Sequence, residues 1–198
     1  MSDVTAVVLC GGRSSRFGSD KTRAPLGATT VLDRLLADLP EHWPVVAVGE
    51  RRRTSRDVTW TRESPAFAGP LAAVEAALPL VDTSVLVLIA GDMPYAGRAA
   101  SQLVAALGAT SAGTADDDAT DTNDAEAVVA IDPSGRRQPL LAAYRTDVVR
   151  RALPQPTANA PMRRLLDALT VAELPVGEQQ AADVDTPADL ERLERPRD

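Results

Sequence analysis

The stretch that decides the fold is "VTAVVLCGGRSSRFGSDK", residues 4–21. Its first six residues are almost all apolar, and most are β-branched, which predicts a strand covered on both faces. Glycines, hydroxyls and cations follow at once: Gly11, Gly12, Arg13, Ser14, Ser15, Arg16 and finally Lys21. Gly11 and Gly12 permit close approach of backbone to a ligand. Successive N–H groups of such a loop form an anion-binding nest, which the arginines, Lys21 and the serine hydroxyls supplement. Two familiar phosphate loops are excluded. Gly18 follows Gly12 by six residues and Lys21 lies three further on, so the G-x-x-x-x-G-K spacing fails. The G-x-G-x-x-G fingerprint of dinucleotide sites is absent as well.

Working outward, short apolar runs alternate with amphipathic ones. Strands are expected at 4–9, 43–49, 56–60, 84–92, 127–131, 138–144 and 170–176. Helices are expected at 29–39, with Thr29 or Thr30 as cap, and at 69–81, 97–107, 145–153 and 160–169. A last helix begins at Pro187, behind Asp185 or Thr186 as cap. This alternation predicts a single α/β domain over residues 1–198: three α/β/α layers, Rossmann-like, around a mostly parallel sheet. The acidic, aperiodic segment 111–127 reads as a flexible surface loop within it. In such sheets ligands lie beyond the carboxyl ends of the strands. Both the glycine-rich loop and "AGDMPY" (90–95) fall at such ends. If the strands before them are neighbours, the two loops face one crevice.

Composition narrows the function. The net charge of −7 excludes the broad basic surface that nucleic-acid binding requires. Lys21 is the only lysine among 21 basic residues, and it lies in the glycine-rich loop; a compact ammonium suits a phosphate. One cysteine, Cys10, permits no internal disulfide and no multi-thiolate zinc site, in keeping with the cytoplasm. No signal peptide is evident, and the longest apolar run, "VLVLIA", is too short to span a membrane. The only histidine, His42, sits in the turn-like "PEHWP", away from the motifs.

The loop resembles the L-A-G-G-x-S-x-R-M-G-x-D-K signature of the MobA-type molybdenum cofactor guanylyltransferases. "AGPLAAVEAAL", "LIAGDMPY", "RRQPLLAAY" and "DVDTPADL" are similar to further family blocks and occur in family order. Cys10 stands at a usual alanine, Phe17 at a usual methionine, and "VGERR" replaces an asparagine-containing segment after the second strand. The resemblance implies transfer of GMP from GTP to the terminal phosphate of molybdopterin, with magnesium as cofactor and pyrophosphate as product. Leu9, Gly11 and Gly12 would meet guanine and ribose through backbone. Lys21, Arg13, Arg16 and Ser14 would hold the phosphates. Gly69 and Pro70 would line the base pocket, and Glu63 is the acid nearest the position of the family's nucleotide-binding aspartate. Asp92 would bind the metal, with Asp185 as second acid; the other reading has Asp92 cap the turn after it and Asp185 the last helix, a role that does not exclude metal ligation. Lys21, Arg16 and Asp92 are thus the catalytic candidates. A molybdenum-insertion protein is the transient partner that the resemblance implies. Cytidylyl transfer, another small phosphate acceptor, and a nucleotide-binding module without catalysis stay open as alternatives.

Overall fold

The computed structural model describes residues 3–11, 17, 20–109 and 124–194. In chain order, β1 (Val4–Leu9) is followed by a 3-10 turn at Lys21–Arg23, the two-residue strands β2 (Pro25–Leu26) and β3 (Thr29–Thr30), and α1 (Val31–Asp38). Next come β4 (Val45–Val48), β5 (Thr59–Thr61), α2 (Pro70–Ala77), β6 (Val85–Ala90) and α3 (Gly97–Ala109). The remainder is β7 (Ala127–Ile131), β8 (Arg137–Arg145), α4 (Thr146–Ala152), α5 (Arg163–Leu166), β9 (Val171–Pro175), α6 (Glu178–Ala181) and α7 (Pro187–Glu194).

Seven strands form one sheet in the order β5-β4-β1-β6-β8-β7-β9. Only β8 runs against its neighbours. A tight turn makes it do so: Asp132 accepts from the backbone N–H groups of Ser134 and Arg136 at 2.9 and 3.0 Å, and Gly135 takes φ +81°. Helices cover both faces. On β1, β4 and β6, alternate residues (Ala6, Val8, Ala47, Val87, Ile89) pack with α1 and α3. Their neighbours (Val7, Leu9, Val46, Leu86, Leu88) pack with α2, α4 and α5. Every residue of β1 is therefore buried, as expected of a strand with two covered faces.

Several boundaries differ from the sequence reading. The helix expected at 29–39 begins only at Val31, because Thr29 and Thr30 pair with Leu26 and Pro25; Thr30 caps it, accepting from the Asp33 N–H at 3.1 Å. The helix expected at 69–81 tightens into a 3-10 turn at Leu78–Leu80, where Pro79 lacks the N–H for a regular helix. The expected helix at 160–169 shrinks to Arg163–Leu166, and α6 was not anticipated. The acidic segment lies outside the described residues through 123; its remainder is ordered, with Ala125 buried and Ala127 opening β7.

Register decides where the site lies. Leu9 pairs with Val48 on one side and with Ala90 on the other. The carboxyl ends of β4, β1 and β6 are therefore level, and the loops that leave them start side by side. Cys10 donates its N–H to Val48 at 2.8 Å, and Gly91 donates to Leu9 at 2.9 Å.

Candidate active site

Lys21 opens the turn after the glycine-rich loop, with Asp20 as its cap: the Asp20 carboxylate accepts from the Thr22 N–H at 3.1 Å and from its hydroxyl at 2.6 Å. Lys21 is thus held on an ordered turn. Its Nζ pairs with Asp92 beyond β6 and, at 2.8 Å, with Asp185 before α7. The predicted cationic and acidic residues, far apart in sequence, do meet.

Three local features bring them together. The first is Gly91. A Cβ there would lie 2.9 Å from the Leu9 carbonyl oxygen and 3.3 Å from the Thr22 side chain, so only glycine lets the β6 loop approach the turn this closely. The second is the C-terminal segment, which runs extended past the strand end: Val184 donates its N–H to the Asp92 carbonyl at 3.0 Å and buries its side chain completely. Period-two alternation then leaves Asp183 and Asp185 outward, on the same side as Asp92. The third is a small apolar cluster below the site, in which Val184 and Leu193 pack with Ala24, Leu26, Val31 and Phe17. It ties the residues flanking Lys21 to the segment carrying the acids.

Asp183 is the site residue that sequence reasoning missed. Ligand oxygens of Asp92, Asp183 and Asp185 lie within 4.8 Å of one another. The signal was the D-x-D spacing of "DVD", which in an extended chain sends both carboxylates one way. The bond made by the Asp185 carboxylate is to Lys21, while Asp189 accepts from the N–H groups of Asp185 and Thr186, at 3.1 and 2.8 Å.

Charge in the cluster is unbalanced. Partial burial pushes the Asp183 carboxyl above the usual aspartate range, and the neighbouring charges of Asp185 and Asp92 push it the same way. For Lys21, burial lowers the ammonium's pKa, but the bonds to Asp185 and Asp92 outweigh it and raise the group overall. Three carboxylates against one ammonium leave room for a divalent cation. A hard, all-oxygen donor set of this kind fits magnesium, which binds through one or two carboxylates plus phosphate oxygens.

The other predicted residues lie along the same edge. Gly11 is exposed at the end of β1, and a Cβ on it would sit 3.8 Å from Glu63 Oε1. Glu63 is buried and accepts the Phe67 N–H at 2.9 Å, holding the loop that leads to α2. Gly69, with φ +94°, and Pro70 form the start of that helix. The Leu9 side chain points into the core, which leaves only its backbone for a ligand. Gly12, Arg13, Ser14, Ser15 and Arg16 lie outside the described residues. His42 is exposed in the loop between α1 and β4.

Fold and site together place the chain among the three-layer α/β/α, Rossmann-like proteins, with Gly11 and an acidic cluster at the carboxyl edge of its sheet. More narrowly, residues 6–174 match the MobA-like NTP transferase domain, and the chain belongs to that family. It is 31% identical to a molybdenum cofactor guanylyltransferase of Cupriavidus metallidurans, over 69% of this chain and 65% of that one. It is 30% identical to a probable molybdenum cofactor guanylyltransferase of Bacillus cereus, over 75% and 71% of the two chains. A Mesorhizobium japonicum molybdenum cofactor guanylyltransferase matches at 35% identity across 47% of this chain, which spans only half the length of that relative. Among solved structures, the molybdopterin-guanine dinucleotide biosynthesis protein A of Archaeoglobus fulgidus superposes with a TM-score of 0.68, at 23% identity over 96% of both chains. The 2-C-methyl-D-erythritol 4-phosphate cytidylyltransferase of Thermus thermophilus shares the fold at a TM-score of 0.66 and 17% identity, over 95% of this chain and 96% of that one.

Proposed function

We propose that this chain transfers GMP from GTP to the terminal phosphate of molybdopterin and releases pyrophosphate. The observation that carries the proposal is the meeting of Lys21 with Asp92 and Asp185, across the ends of two adjacent parallel strands. The names of the curated relatives support guanine as the base and molybdopterin as the acceptor.

An oxygen of the acceptor phosphate attacks the α-phosphorus of GTP. The bond from that phosphorus to the bridging oxygen of the β-phosphate breaks, and pyrophosphate leaves with the electron pair. The attacking phosphate is already ionised at neutral pH, so the site needs no general base, and His42 has no part in it. What remains for the protein is placement and charge. The exposed backbone at Gly11 gives the nucleotide a close approach, with Glu63 behind it. Lys21 turns its ammonium to the phosphates and offsets the charge that builds on the leaving pyrophosphate. Asp92, with Asp183 and Asp185, would hold magnesium, which neutralises phosphate oxygens when bound. Among the described residues no helix is long and apolar enough to cross a membrane. We place the reaction in the cytoplasm, with molybdopterin delivered by a molybdenum-insertion protein.

The test is incubation with molybdopterin, Mg²⁺ and either GTP or CTP, with pyrophosphate measured. The expected result is release that needs molybdopterin and favours GTP, and that falls about 10²- to 10³-fold in Lys21→Ala and in Asp92→Asn. Tight GTP binding without pyrophosphate release would make the chain a nucleotide-binding module. Preference for CTP would make it a cytidylyltransferase.

A further inference from the structure

Arg52 lies in the loop after β4, four residues beyond the strand, within a run of arginines. Unlike an exposed surface arginine, its side chain retains only 11% exposure. Nη1 donates to Asp20 Oδ2 at 2.5 Å, and Nη2 donates to the Thr22 hydroxyl. The guanidinium also stacks over the Trp60 ring, 5.4 Å from its centroid. Nε is buried and has no hydrogen-bond partner among the described residues. A cation is withdrawn from water here at some cost, and its two bonds go to the residues on either side of Lys21.

We propose that Arg52 is a positioning residue for Lys21: its guanidinium, clamped between Asp20, Thr22 and the Trp60 ring, fixes the turn from which the lysine amine reaches the acidic cluster. Asp20 and Thr22 also bond each other, so the guanidinium closes a three-residue ring around the backbone of Lys21. With both flanking residues held, the Cα of Lys21 has one place, and its four-carbon stem becomes the only adjustable part. A planar fork suits this task. It meets two acceptors at fixed spacing and offers a flat face to an aromatic ring, which an ammonium does not. The clamp itself stands on geometry. Its effect on turnover rests on the function proposed above for Lys21.

The single lysine makes the test direct. Growth on lysine labelled with ¹³C at Cε gives a tag-free chain with one ¹H–¹³C signal, that of Lys21. In the wild-type protein this signal should stand apart from free lysine. In Arg52→Met and in Thr22→Val it should move toward the free-lysine position, while pyrophosphate release from GTP, Mg²⁺ and molybdopterin falls about 10- to 100-fold, the scale expected of a small misplacement. Thr22→Val keeps the side-chain shape and removes the hydroxyl that accepts from Arg52 and donates to Asp20, so it serves if Arg52→Met does not fold. An unmoved Lys21 signal in a folded variant of either kind overturns the proposal. A signal that moves while turnover stays unchanged upholds the clamp and instead contradicts the catalytic role given to Lys21.

Discussion

At the scale of single residues, Lys21 plays two parts. Its ammonium is the counter-ion of Asp92 and Asp185, two of the three carboxylates whose oxygens lie within 4.8 Å of one another. In the reaction proposed above, Lys21 and a metal would compete for the same oxygens until a triphosphate draws the amine away. Lys21→Met should accordingly bind Mn²⁺ alone about tenfold or more tightly than the wild-type chain, since two anions close to a lost cation regain their full attraction for another. Electron paramagnetic resonance of Mn²⁺ without nucleotide reads this, and equal or weaker binding would contradict it. The same variant should lose turnover, so metal affinity and activity move in opposite directions. Not all of these residues were legible beforehand. Lys21 and Asp92 stood out because each breaks the character of its surroundings: a lone lysine, and an acid ending an apolar strand. Asp183 was hidden by its resemblance to an ordinary helix-preceding acid. Arg52 was hidden by its neighbours: in the run 51–53 all three side chains are identical in type, and only the fold decides that the middle one turns inward while Arg51 and Arg53 stay exposed.

Elements were legible wherever their own periodicity set them, and obscure wherever a partner did. The buried strands β1, β4 and β6 are continuous apolar runs and fall within a few residues of expectation. The ribbon of β2 and β3 has only four residues and no pattern; it exists because Leu26 seats in the cluster with Val31 and Val184. The reversed strand β8 follows from a turn whose hydrogen bonds no hydropathy pattern displays. The loop joining α1 to β4 depends in the same way on a distant side chain. Arg56 donates to the carbonyls of Leu36, Leu39, Pro40, Glu41 and Trp43, at 2.7 to 3.4 Å. These include carbonyls that the end of α1 leaves without an intrahelical partner. Arg56→Met should therefore lower stability by about 2 kcal/mol, the scale of losing charge-assisted bonds to partly buried carbonyls. Urea unfolding measures it. A loss below about 0.5 kcal/mol would mean that water replaces the arginine at no cost.

At the scale of the whole molecule, one topological choice makes the site: β1 and β6 are neighbours and parallel, although β2–β5 and α1–α2 intervene in the chain. That pairing sets Gly11 and the Lys21 turn beside the Asp92 loop, and the C-terminal segment, tied to Asp92 through Val184, adds the remaining acids. The central claim is that Lys21 and the three carboxylates serve one metal-bound triphosphate. The most direct measurement is a crystal structure of the chain with GTP and Mn²⁺, with the metal located by its anomalous scattering. The account predicts a single manganese peak ligated by Asp92 and at least one of Asp183 and Asp185, with phosphate oxygens completing its shell and the Lys21 amine on the phosphates. A triphosphate bound with its metal away from Asp92, or with Lys21 still closed on the carboxylates, would contradict it.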